Sequence, residues 1–171
     1  MAGTNIDKEY ERFIETWGSM GVLWGINRSM ARIHAFLITS DEPAGLDTIA
    51  ESLKISRGNA SMCLKELRHW GVIRRVHSPG ERRDFYVAEP DAFKMFYLIG
   101  QERKKREFDP ALSSVRLLLS EGVPGKDKGV RARLRGLERL LTTIDKILNK
   151  CLEDEKMTRA VLNILKGFVA R

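Results

Sequence analysis

Ser56-Arg57-Gly58-Asn59-Ala60-Ser61-Met62-Cys63-Leu64-Lys65-Glu66-Leu67-Arg68-His69-Trp70-Gly71 reads as one helix with both ends marked. Ser56 is a good N-cap, because its hydroxyl can accept an unpaired N–H of the first turn. Gly71 suits the position after the last turn, where a left-handed conformation carries no Cβ penalty. Ala60, Leu64 and Leu67 fall at i, i+4 and i+7 on one face, flanked by Cys63 and Trp70. The other face carries Arg57, Gly58, Asn59, Ser61, Met62, Lys65 and Arg68 and no carboxylate.

The flanking residues give this helix a setting. Upstream, Leu46 to Leu53 reads as a short helix with Leu46, Ile49, Ala50 and Leu53 inward and Asp47 in its first turn, where a negative charge suits the dipole. Lys54-Ile55 is a tight connection, so the two helices form a helix-turn-helix. Downstream, Val72-Ile73-Arg74-Arg75-Val76-His77 reads as a strand, Ser78-Pro79-Gly80-Glu81 as a turn, and Arg82-Arg83-Asp84-Phe85-Tyr86-Val87 as the return strand. The expected fold class is mainly α: a winged helix-turn-helix domain with a small β-hairpin wing, plus a C-terminal helical dimerisation region.

These residues also resemble a known family. Ser56-Arg57-Gly58-Asn59, Trp70-Gly71, Arg74-Arg75-Val76 and Pro79-Gly80-Glu81-Arg82-Arg83-Asp84 are similar to the GbsR group of MarR-like winged-helix transcriptional regulators. The resemblance extends upstream through Asn27-Arg28 and Arg32-Ile33 and downstream to Glu102-Arg103-Lys104-Lys105-Arg106, covering roughly residues 10 to 108. It implies a dimeric DNA-binding regulator, most often a repressor. Because members of that group are tied to osmoprotectant genes, it also implies an effector of choline or betaine type.

Charge placement favours a polyanionic partner. The chain of 171 residues carries a formal net charge of +7. Residues 41–53 sum to −4, whereas residues 54–83 hold eight basic and two acidic groups. Positive charge is thus dense over the proposed reading helix and wing. The two cysteines, Cys63 and Cys151, have no metal-ligand spacing, and neither do His34, His69 and His77. No metal site, cofactor or catalytic constellation is implied, so no enzyme is expected. With no signal peptide and no membrane-spanning apolar run, the chain reads as cytoplasmic.

Around that centre, helices are expected from Asp7 to about Met20, with Tyr10, Phe13, Ile14, Trp17 and Met20 inward and Glu15 outward, and from Arg28 to Thr39 behind an Asn27 cap. A break is expected near Gly25-Ile26. Another helix is expected from Pro90, as its first residue, to about Phe108, ending in Arg103-Lys104-Lys105-Arg106. Four cations there either complement the helix dipole or add phosphate contacts. Asp109-Pro110 should break the chain before a short helix, Ala111–Ser120. Val130, Leu134, Leu137, Leu141, Ile144, Leu148 and Cys151 follow alternating spacings of four and three, a heptad seam. A last helix is expected over about 155–169. The organisation is then residues 1–90 as the DNA-binding domain and 91–171 as a linker helix and dimerisation region, giving a homodimer.

The expected partner is double-stranded DNA. The candidate contacts are Ser56, Arg57, Gly58, Asn59, Ser61, Met62, Lys65 and Arg68 on the helix, and Arg75, Arg82 and Arg83 on the wing. Arg57 and Lys65 suit guanine O6/N7, with a phosphate the alternative for Arg57; Asn59 suits adenine, and Met62 suits a thymine methyl or partly exposed packing. Small residues at the first turn let the backbone approach a major groove. Arg82 and Arg83 suit a narrow minor groove. Trp17, Trp24, Phe96 and Tyr97 are the candidates for an aromatic cage around a quaternary ammonium, although aromatics at helical spacing are usually core. The competing reading is a winged-helix module that docks on another protein or RNA, with a merely solubilising basic face.

Overall fold

Asp7 opens the first helix, α1 (Lys8–Leu23), by accepting the Glu9 N–H at 3.2 Å. The helix runs three residues past the expected end because Gly18 and Gly21 are buried where α2 crosses it. A Cβ on Gly21 would stand 2.6 Å from the Ala31 Cβ. The break falls at Gly25, whose φ of 73° is the left-handed conformation that glycine tolerates. Asn27 then accepts the Met30 N–H and opens α2 (Arg28–Ile38). Glu15 does not face away as expected. Its carboxylate accepts from Arg28 at 2.8 Å and from Arg32 at 2.7 Å, and Arg32 also donates to the Leu53 carbonyl. Tyr10 departs from its expected inward position and stays 51% exposed. The computed structural model describes residues 7–77, 83–121, 128–152 and 159–160.

A two-residue strand, β1 (Ala44–Gly45), leads into α3 (Leu46–Ser52), α4 (Arg57–His69), β2 (Ile73–Val76) and β3 (Phe85–Ala88). The strands form one antiparallel sheet in the order β1-β3-β2, with Ala44 opposite Tyr86 and Arg75 also opposite Tyr86 from the other side. The expected two-stranded hairpin is therefore a three-stranded sheet, and its return strand begins at Phe85 rather than Arg82. The turn expected over Ser78-Pro79-Gly80-Glu81 lies outside the described residues, as does Arg82. Ile33, Ile49, Leu53, Ala60, Leu64, Leu67, Val72 and Ile73 are buried together with Ile14 as the core of this part. Leu46 is only half-buried.

The chain divides into two compact units between Met95 and Phe96. The helix α5 (Ala92–Arg103) contains that boundary. Asp91 caps it, accepting the N–H groups of Phe93 and Lys94, so Pro90 precedes the helix instead of opening it. No break occurs at Asp109-Pro110. A π-helical turn, Lys104–Phe108, continues directly into α6 (Asp109–Glu121). Proline lacks an N–H and its ring crowds the carbonyl four residues back, here Arg106. In the π turn the Asp109 N–H bonds to the Lys104 carbonyl five residues back, and the helical backbone continues through the proline without ending.

The basic run consequently lies inside a continuous helical segment, not at a helix C-terminus. Arg103 pairs with Glu107, and Lys104 with both Asp109 (2.6 Å) and Asp145 (2.9 Å). The final described helix, α7 (Lys128–Leu152), packs on α6, with Arg116 donating to Glu138 and Thr142. No α7 side chain is buried among the described residues. The helix expected over 155–169 lies outside the described residues except for 159–160. No described helix is long and apolar enough to cross a membrane.

Candidate nucleic-acid interface

The reading helix α4 is held by its inner face. Ala60, Cys63, Leu64 and Leu67 are buried, and Ser56 caps the N-terminus by accepting the Asn59 N–H at 3.2 Å. Trp70, the C-terminal cap, is buried and donates its indole N–H to Glu66 at 3.2 Å, which ties down the helix's own carboxylate. What remains outward is Arg57, Gly58, Ser61, Met62, Lys65 and Arg68, all exposed. Met62 is 75% exposed, so it is not partly packed core. Nothing lies within 4 Å of where a Gly58 Cβ would project. The helix therefore offers a small-residue first turn and three cations to a partner.

Two of the candidate contacts have partners that sequence spacing did not reveal. Arg57 binds the Asp47 carboxylate through Nε at 2.9 Å, which leaves the terminal guanidinium nitrogens as its outward donors. Asn59 is only half-exposed. Its Nδ2 donates to the Ser29 hydroxyl on α2 at 3.0 Å, and its Oδ1 accepts from the Cys63 thiol at 3.5 Å. Each end of the amide has one partner within the fold, and a second N–H and a second oxygen lone pair remain for another contact. Burial pushes the Cys63 thiol pKa up, which disfavours thiolate chemistry on this helix.

On the wing, Arg74 and Arg75 are both exposed. Arg75 is held by Asp84 at 3.0 Å. Arg83 is exposed at the start of the return segment, and Arg82 lies outside the described residues. His69, exposed in the last turn of α4, and Lys54, exposed in the turn before it, are basic or titratable positions that the periodicity alone did not single out.

The four aromatic candidates do not share one setting. Trp17 packs against Phe13 at 5.5 Å and edge-on to His34 at 6.3 Å, a core role in the first unit. Trp24 caps the end of α1 and is 38% exposed. In the second unit, Tyr97 donates its hydroxyl to the Leu152 carbonyl at 2.6 Å, and Phe96 is 48% exposed. A separate cleft of about 440 Å³ in the first unit is lined by Tyr10, Phe36 and Phe85 together with Asp7, Asp41 and Glu42. Its carboxylates set it apart in sign from the basic face of α4. Among the described residues no cluster of histidine, cysteine or carboxylate is placed to hold a metal.

No family model matches the chain. Over 93 residues it is 29% identical to the HTH-type transcriptional repressor GbsR of Bacillus subtilis (strain 168). That alignment takes in 54% of this chain and 51% of the repressor, so the chain spans about half the length of this curated relative. A crystal structure of a transcriptional regulator overlays with a TM-score of 0.62 at 23% identity, covering 85% of this chain and 96% of that one. At that identity the overlay shows a shared fold. A mutant of S. aureus MepR bound to an oligodeoxyribonucleotide aligns more loosely, with a TM-score of 0.40 at 14% identity over 80% of this chain and 90% of that one.

Proposed function

We propose that this GbsR-like winged-helix chain is a sequence-specific double-stranded DNA-binding transcriptional regulator, acting in the cytoplasm as a dimeric repressor that occludes promoter DNA. The observation that carries the reading is the outward face of α4. It presents Arg57, Gly58, Ser61, Met62, Lys65 and Arg68 to solvent behind a capped N-terminus, with the helix's single carboxylate tied to Trp70. Phosphate contacts would position the protein, while base edges read from the first turns of α4 would supply the sequence preference.

Binding of the full chain to duplexes selected from genomic DNA, measured across a salt series, tests this. The logarithm of affinity should fall linearly with the logarithm of salt concentration, by about 0.9 per neutralised phosphate. Lys65→Ala should relax preference at one base position at a cost of ~1–3 kcal/mol. Arg83→Ala should weaken all duplexes alike and flatten the salt slope by about one unit. Asn59→Ala should likewise relax preference at one base position, whereas equal loss for specific and random duplexes would assign Asn59 to supporting Ser29 and Cys63 instead of reading a base. Failure to bind any duplex in a salt-dependent way would sink the reading and favour the module that docks on another protein or RNA.

The resemblance further supports an effector of choline or betaine type. Of the aromatic candidates, Trp24 in the first unit and Phe96 in the second are each exposed, and either ring by itself could attract a quaternary ammonium. The same binding series run with choline and with glycine betaine reads this out. An effector that weakens DNA binding must itself be weakened by operator DNA by an equal factor. Titrations with no heat from either compound would remove the effector.

A further inference from the structure

Helices α1 and α3 of the first unit end in the same two-bond backbone motif, α4 shares its first bond, and one of the three breaks the residue rule. After α1, Gly25 donates to the Val22 carbonyl at 3.0 Å and Ile26 to Gly21 at 2.8 Å. After α4, Gly71 donates to Arg68 at 3.0 Å. After α3, Lys54 donates to Glu51 at 3.2 Å and Ile55 to Ala50 at 3.0 Å. In this termination the first residue beyond the cap is left-handed, and glycine fills it because a Cβ crowds the backbone there. Gly25 and Gly71 have φ of 73° and 75°. Lys54, with φ of 53°, is the only non-glycine residue with positive φ among the described residues.

Among the described residues nothing rewards that lysine. The backbone bond from Ile55 to the Ala50 carbonyl would form equally with glycine at position 54. The Lys54 side chain is exposed, and its ammonium makes no ion pair among the described residues. The residue does occupy a distinctive place. It is the turn of the helix-turn-helix, two residues before the Ser56 cap and three before Arg57, beside the N-terminus of the reading helix. Residues that break a local conformational rule cluster at functional positions, where the side chain is worth the strain.

We propose that Lys54 is a DNA-contacting residue, its ammonium binding a backbone phosphate next to the reading helix, and that the left-handed strain is kept for that contact. A lysine serves a phosphate as a mobile point charge and needs no fixed fork geometry. The contact sets position and affinity and carries no base preference of its own. It deepens the DNA-binding reading and rests on it.

Stability and binding should move in opposite directions, which separates this role from a tolerated surface lysine. In the full chain, Lys54→Gly should raise the thermal midpoint by about 2–4 °C. The same variant should bind every duplex roughly five- to tenfold more weakly at 0.1 M salt, with a salt slope shallower by about 0.9. Lys54→Asn, which tolerates the left-handed conformation without the charge, should lose the same slope, and Lys54→Arg should keep the wild-type slope. A Lys54→Gly protein that retains the wild-type slope overturns the inference, whatever its midpoint does. A wild-type protein that binds no duplex overturns the DNA-binding reading instead, so the two failures are told apart by the wild-type control.

Discussion

His34 sits on α2 with 3% of its surface exposed, its ring edge-on to Trp17 and its Nε2 without a hydrogen-bond partner among the described residues. Burial pushes its pKa down to about 4 from an ordinary value of 6.5. Between those values the unfolded chain takes up a proton that the folded chain refuses, so stability rises with pH across the window. The contribution is complete above about pH 6.5 and is lost as pH falls toward 4. Its size at the acid end is roughly 3 kcal/mol at most. Glu15 and Glu89 are held below the usual carboxylate range, chiefly by their hydrogen bonds to Arg28 and Lys94, so their loss falls below pH 4.5 and leaves the window to His34. Urea unfolding at pH 7 and at pH 4.5 should show the drop in the wild type and a much smaller one in His34→Leu. Equal drops in both proteins would place the acid sensitivity elsewhere.

The contact between α1 and α2 depends on two glycines that cost helix propensity for close approach. At Gly21 the obstacle to a side chain is the Ala31 Cβ, which moves only with its backbone. Gly21→Ala should therefore destabilise the protein by about 1–3 kcal/mol despite the better propensity of alanine. At Gly18 the obstacle is the Arg32 side chain, which can swing aside. Gly18→Ala should cost less, with the loss appearing as a weakened grip of Arg32 on Glu15 and the Leu53 carbonyl. Chemical denaturation of the two variants compares them directly, and a Gly21→Ala protein as stable as the wild type would mean that the helices can separate without penalty. The π turn at Lys104–Phe108 is the comparable device in the second unit, holding Pro110 inside a helix that proline would otherwise end.

At the scale of the molecule, the first unit carries the proposed DNA contacts and the second leaves its apolar stripe only partly covered. Leu137, Leu140 and Ile147 of α7 and Leu117 of α6 are each more than 40% exposed in the single chain. Val130, Leu134, Leu141, Ile144, Leu148 and Cys151 of the heptad seam are half-buried at best. A second copy that covered this face would complete the homodimer proposed above. Leu141→Asp would place an unpaired charge in the seam and should weaken association by roughly 3–5 kcal/mol. Light scattering at micromolar concentration checks both points, since a monomeric wild type would remove the dimer. A dimer would also set the two reading helices about one turn of DNA, ~34 Å, apart, so that binding should depend on half-site spacing.

What the sequence determined by itself was local. Ser56, Asn27 and Asp7 mark helix starts because a cap is a hydrogen bond across two or three residues, and Gly25 and Gly71 mark ends because a positive φ is a property of one residue. The buried face of α4 followed from helical period, and the dense positive charge from simple order along the chain. The tertiary structure alone decided which polar groups meet across distance. Ser29 lies thirty residues from Asn59 and Asp47 ten from Arg57, and no spacing rule links either pair before the helices pack. Glu15 looks like a solvent-facing acid until α2 brings Arg28 and Arg32 against it. The two-residue β1 has no periodicity to read and exists only because β3 offers it an edge. Pro110 looked like a break because its own ring forbids an ordinary α turn, and only the continuous backbone of α5 and α6 shows the wider turn that admits it.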